Sequence, residues 1–187
     1  MRRVSVVGST GTGKTSYARR LAEILDVPHI ELDAIVWQPN WTLLPADEFR
    51  ARVAERMAAQ GWVVDGNYGG AEVRPMVWAR ADTIIWLDFS LAVIYRRLLR
   101  RTLARIRDKQ ELWPGTGNRE TIRNAFFSRE SLFWWALKTY WRRKRNYAAL
   151  FALPEYAHAA RLRFRTPTEA EQWLDAQRAR SAARIQG

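Results

Sequence analysis

Residues 6–16 read VVGSTGTGKTS, and no other stretch restricts the fold of this chain so tightly. Gly8, Gly13, Lys14 and Thr15 fill the spacing G-x-x-x-x-G-K-[ST] directly after an apolar run at 4–7. Glycine weakens helix and strand alike; what it offers here is backbone that no Cβ covers, so that successive N–H groups converge on phosphate oxygens. A helix opening near Lys14 adds unpaired amides and its dipole, the lysine reaches the β- and γ-phosphates, and the Thr15 hydroxyl suits Mg²⁺. The candidate nucleotide-binding residues are therefore Gly8, Ser9, Thr10, Gly11, Thr12, Gly13, Lys14, Thr15 and Ser16, with ATP and Mg²⁺ as the implied cofactors. The competing reading is an ordinary glycine turn. Against it, the run at 4–7 and the helical recurrence of Ala18, Leu21, Ala22 and Leu25 supply the strand–loop–helix context that the motif requires.

With 187 residues and no internal repeat or linker, the chain reads as one domain over 1–187, large enough to bury a core without disulfides. Cysteine is absent, which removes disulfide and thiolate-zinc frameworks and agrees with a cytoplasmic location. The basic N-terminus carries too short an apolar run for a signal peptide, and the aromatic stretch LFWWALKTYW at 132–141 is too short to span a bilayer. The net charge of +12 is unevenly placed: residues 1–95 hold 10 Lys/Arg against 11 Asp/Glu, and residues 96–187 hold 21 against 8. Such a field suits polyphosphate, nucleic acid or an anionic membrane surface.

Further strands are expected at HIELD (29–33), WVVDG (62–66), DTIIWLD (82–88) and RLRFR (161–165). The middle two are almost continuously apolar, as in a parallel sheet covered on both faces, and the last alternates like an edge strand. Pro39 and Pro45 exclude regular structure between 34 and 45. Helices are expected from Ala46, with Phe49, Val53 and Met57 on one face and Gly61 as its stop; after Ser90 as a cap, with Leu91, Ile94, Tyr95, Leu98 and Thr102 sharing a face; from about Glu130 to Leu150; and after the capping box TPTE at 166–169. The tail at 181–187 reads as frayed.

Magnesium calls for a carboxylate at a neighbouring strand end, and Asp65 and Asp88 both qualify, Asp65 the better. VVDGNY (63–68) stands where nucleoside-monophosphate kinases carry an aspartate and glycine, and ADTIIWLDFSLAVIYRRLLRR (81–101) is similar to the strand and arginine-bearing helix leading into their lid. With ELDAIVWQPNW, WVVDGNY and ADTIIWLD, the chain resembles, over nearly its whole length, adenylate-kinase-like P-loop kinases and within them the small proteins called topology-modulation proteins. The resemblance implies an α/β fold with a five-stranded parallel sheet, helices on both faces, ATP at the glycine loop and a helical lid at 102–145. By register it assigns the lid-helix arginines to Arg97 and Arg101, with Arg96 and Arg100 beside them able to exchange roles. Two departures stand out. WRRKR (141–145) lacks the acidic pair of long adenylate kinases, leaving Arg142, Arg143 and Arg145 unassigned, and Ser90 replaces a frequent proline.

The acceptor turns on Asp33, which resembles the strand-two aspartate of shikimate and gluconate kinases. A hydroxyl acceptor needs a carboxylate to take its proton; a phosphate acceptor needs arginines instead, for which Arg50 and Arg56 are candidates. Trp37, Trp41, Asn67 and Tyr68 are the other candidate acceptor contacts, and Lys14, Asp33, Arg97 and Arg101 the catalytic set. The plainer alternatives stay open: Asp33 as a loop cap, Trp37 and Trp41 as core aromatics, and His29 and His158 as ordinary residues. The expected activity is transfer of the ATP γ-phosphate to a small-molecule hydroxyl or a nucleotide. The alternative is an ATP-binding, nucleic-acid-associated regulator using the basic second half. A third reading attaches the Trp/Arg-rich helix to anionic membranes.

Overall fold

The computed structural model describes residues 1–68, 72–108, 111–119 and 132–185. A parallel sheet of five strands lies at the centre: β1 (Arg3–Gly8), β2 (His29–Glu31), β5 (Trp62–Asp65), β6 (Thr83–Leu87) and β7 (Ala160–Phe164), in the order β2-β5-β1-β6-β7. The three inner strands are the apolar runs of the sequence, and Val4, Val6, Val63, Ile84 and Ile85 have no accessible surface at all. Each such side chain stabilises the fold by about 1.5–3 kcal/mol relative to exposure. β7 closes one edge, paired to β6 in the register Ile84↔Arg161 and Trp86↔Arg163.

Two apolar layers cover the sheet. On one face α1 (Lys14–Leu25) contributes Tyr17, Ala18, Leu21 and Ala22, joined by Ile94 of α5 (Leu91–Arg107) and Leu174 of α7 (Pro167–Ile185). On the other, α3 (Ala46–Arg56) contributes Phe49 and Val53, and α4 (Val73–Arg80) Val73, Val77 and Trp78. The long α6 (Leu132–Ala152) serves both layers, Tyr140 in the first and Tyr147 in the second.

Several expectations are corrected. β2 ends at Glu31, so Asp33 is not the end of a strand but lies in the first turn of a short helix, α2 (Leu32–Val36). Burial of Leu32, Ile35 and Val36, at the i, i+3 and i+4 positions of one turn, favours helix over further extension. The two prolines do not exclude regular structure: β3 (Trp37–Gln38) and β4 (Thr42–Leu43) form an antiparallel hairpin around a tight turn that Pro39 opens, and Pro45 immediately precedes α3. Neither position needs the missing N–H. α3 stops at Arg56, well before Gly61, and α4 is a helix that the sequence pattern did not announce. Ser90 stands at the N-terminus of α5 without a side-chain capping bond. α7 continues as helix to Ile185, beyond Ser181. Of the predicted 102–145 insertion, residues 109–110 and 120–131 lie outside the described residues, as do the expected start of α6 at Glu130 and the last two residues of the tail.

Candidate functional site

The glycine loop leaves β1 at Gly8 and enters α1 through Gly13, whose left-handed backbone (φ 86°) a side chain would strain. Thr12 closes the loop on itself, its hydroxyl donating to the Ser9 carbonyl at 2.9 Å, and Lys14 Nζ donates to the same carbonyl at 3.2 Å. Asn67 secures the other end. Its Nδ2 donates to the Gly8 carbonyl at 2.6 Å, its Oδ1 accepts from Gly8 N–H at 3.2 Å, and Tyr147 donates to that Oδ1 at 2.9 Å. The Asn67 amide thus holds the loop, a different task from the acceptor contact expected of it. Ser9, Thr10 and Thr15 are half-buried around the loop and Ser16 is exposed.

α5 brings two of the predicted arginines to the loop. Arg97 donates to the Thr12 carbonyl at 2.6 Å and lies over Phe89, its guanidinium carbon 5.3 Å from the ring centre. Together with Arg101, Gly11, Gly13, Ser16 and Pro167 it lines a cleft of about 330 Å³ between α1, α5 and the start of α7. Arg96 and Arg100 are exposed and are not among the residues that line this cleft. Gly11 permits the approach of α5, since a Cβ there would stand 3.0 Å from the Ile94 carbonyl oxygen.

Charge converges on Lys14. Burial lowers its pKa, Asp33 and then Asp65 oppose that, and Arg143 and Arg101 push it further down. These groups therefore share one electrostatic neighbourhood at the C-terminal edge of the sheet, where ligands bind in open α/β folds. Arg143, held below its ordinary pKa by burial, is half-buried; Arg142 and Arg145 are exposed. Of the three unassigned arginines, Arg143 is the one turned toward the loop.

Asp33 accepts a 2.5 Å hydrogen bond from the Tyr68 hydroxyl. Burial, and then the Asp33 charge, raise the pKa of that hydroxyl, so it stays a donor. Phe49 packs edge-on against the Tyr68 ring. Asp65, 2% exposed, ends β5 with its Oδ2 lacking a hydrogen-bond partner among the described residues; His29 Nε2 lies 3.5 Å away, unpaired in the same sense. A buried carboxylate oxygen left over beside the loop fits a hard cation or its bound water. Asp88 does not fit, because Arg163 grips its Oδ2 at 2.6 and 3.0 Å and Lys144 lies 3.6 Å away.

Three functional candidates escaped the sequence reading. Glu31 sits opposite Asp65 in the β2–β5 register, and burial, with the Asp65 charge next, raises its pKa. The Trp113 indole N–H donates to Glu31 at 3.4 Å, and its ring stacks on Trp37 at 5.9 Å and 12°. Trp41, 43% exposed, stands edge-on to both rings. Buried Asn118 ties this segment to the hairpin, accepting from Trp41 N–H at 3.1 Å and donating to the Gln38 carbonyl at 3.0 Å. Trp37 and Trp41 thus form an aromatic cluster with Trp113, which reaches the Glu31 carboxylate through its indole N–H. WPGTGN reads only as a break in sequence; no local signal announces its docking on a hairpin so far away along the chain.

No protein-family model and no curated protein matches the chain. Among solved structures it is similar to a gluconokinase from Sinorhizobium meliloti 1021, with 98% of this chain and 95% of that one covered at 21% identity and a TM-score of 0.52. It is likewise similar to a shikimate kinase from Bacteroides thetaiotaomicron, with 94% and 95% covered at 18% identity and the same TM-score of 0.52. The five-stranded parallel sheet, its flanking helices and the glycine loop after β1 are the P-loop kinase fold.

Proposed function

We propose that the chain is an ATP-dependent phosphotransferase whose acceptor is a hydroxyl of a small molecule. The observation that carries this reading is the placement of Asp33, held by Tyr68, in the same neighbourhood as the loop lysine. The loop amides, Lys14, Arg97 and Arg101 bind and neutralise the phosphates, and Arg143 adds charge from the α6 side. Magnesium, when bound, would offset charge on the β- and γ-phosphates, with Thr15 and Asp65 as the residues to hold it. The acceptor oxygen forms a bond to the γ-phosphorus, the bond from that phosphorus to the β,γ-bridging oxygen breaks, ADP leaves, and the hydroxyl proton passes to Asp33. The described residues of 102–145 would form the cover that excludes water.

The gluconokinase and shikimate kinase likeness supports this reading at the level of fold. Arg50 is engaged by Asp47 at 2.7 Å and lies 3.8 Å from Glu72, which makes it less available to an acceptor phosphate. The test is incubation with ATP, Mg²⁺ and separate panels of hydroxylated metabolites and nucleoside monophosphates. Asp33→Asn should depress turnover of the best hydroxyl acceptor by roughly 10²-fold or more while changing its binding little. Transfer to a monophosphate that survives Asp33→Asn but not Arg50→Ala or Arg56→Ala would replace the hydroxyl acceptor with a phosphate. The nucleic-acid-associated alternative predicts instead no transfer above background hydrolysis and steep, salt-dependent binding of short DNA.

A further inference from the structure

α6 has a second face that the site does not use. Ala136, Thr139, Tyr140 and Tyr147 are buried, whereas Leu137 and Trp141 on the opposite arc are 40% and 62% exposed. Lys138, Arg142 and Arg145 are also exposed, and at 3.6 residues per turn they fall on the arc adjoining Leu137 and Trp141. Trp134, one turn earlier on the same arc, is 57% exposed. The helix carries five lysines and arginines and no acidic residue. An exposed tryptophan–leucine stripe edged by cations costs hydration in water and is matched by a surface that is apolar beneath and anionic above.

We infer that this face of α6 binds an anionic lipid bilayer, the helix lying in the plane of the interface. Trp141 and Leu137 enter the boundary between headgroups and acyl chains, and Lys138, Arg142 and Arg145 meet anionic headgroups. Charge complementarity selects this occupant. A second copy docked by the same face would set like charges against each other. A convex helix face also offers no groove of the kind that tracks a nucleic-acid strand. None of the helices among the described residues is long and apolar enough to cross a membrane, so the attachment is peripheral.

The test is cosedimentation of the whole protein with phosphatidylcholine vesicles, with and without phosphatidylserine, over a range of salt. The expected result is binding to the phosphatidylserine vesicles alone, reversed by salt. Changing Lys138, Arg142 and Arg145 together to Gln should weaken it by roughly 10²-fold, and Leu137→Ser with Trp141→Ser by about tenfold, with circular dichroism unchanged. Absence of binding to phosphatidylserine vesicles at low salt overturns the inference, as does binding that both folded variants retain. Two further results overturn it by giving the face another occupant. One is a dimer in sedimentation velocity that Leu137→Ser abolishes; the other is short DNA bound through the same cations while vesicles are not.

Discussion

Asn67 clasps Gly8 from both sides, donating to its carbonyl and accepting from its N–H, across 59 positions of sequence. The glycine loop is therefore fixed to the end of β5 as well as to its own strand. Asn67→Ala leaves two backbone groups of Gly8 and the Tyr147 hydroxyl without their partner, at a cost of about 1–3 kcal/mol. ATP affinity measured by calorimetry should fall by about tenfold or more. An unchanged affinity in a folded variant would show that the loop holds its shape without this clasp.

Asp65 and Asp88 are both buried carboxylates at strand ends, and they should separate cleanly. Asp65→Asn should leave the melting temperature close to that of the parent while removing most of the effect of Mg²⁺ on nucleotide binding. Asp88→Asn loses a charge-assisted pair to Arg163 and should lower stability by about 1–3 kcal/mol with the magnesium effect intact. The reverse pattern would transfer the metal role to Asp88.

Glu31 yields a pH dependence with a definite sign. Its folded-state pKa is raised above the ordinary 4.5, first by burial and then by Asp65. Above 4.5 the unfolded chain has released the proton that the folded chain still holds, so this group's contribution to stability is lost as pH rises through the folded value. Glu31→Gln keeps an oxygen for the Trp113 indole and removes the ionisation. Thermal unfolding should show the variant gaining on the parent at neutral pH and not below 4.5. An equal difference at both would trace the effect to packing instead.

Asn118 is 3% exposed and satisfies backbone groups at both Trp41 and Gln38. Asn118→Ala should speed hydrogen exchange at the Trp41 amide by about tenfold or more, and Trp113→Ala should act in the same direction by removing the stacked ring. The Val64 amide in β5 serves as the control and should not change. If Trp41 exchange is insensitive to both variants, residues 111–119 do not hold the hairpin.

The inner strands and the loop were legible because their signals are local: a continuous apolar run is what a doubly covered strand requires, and the loop is defined by its spacing between such a run and a helical recurrence. Asp33 was misplaced for a physical reason. Leu32, Ile35 and Val36 make one helical turn, too short for periodicity to show, beside an alternation that extends from Ile30. α4 carries Pro75 in its first turn, where proline is tolerated, and the proline hides the helix from a reader of patterns. Glu31, Asn67 and Asn118 gain their roles from partners that topology brings close: Asp65 across the β2–β5 ladder, Gly8 on β1, and Trp41 on the hairpin. The pairing of Asp88 with Arg163, 75 positions apart, was equally invisible.

The contact of Gly11 with the Ile94 carbonyl, reinforced by Arg97 on Thr12, makes the first two turns of α5 one mechanical body with the phosphate loop. Any bend of α5 must lie on the C-terminal side of Leu98, whose Cβ a side chain at Gly11 would meet. From there to Arg107 the helix is a lever of about 15 Å. A few degrees of bend at its root would move its tip by an ångström or more while the register of Arg97 on the loop stays fixed.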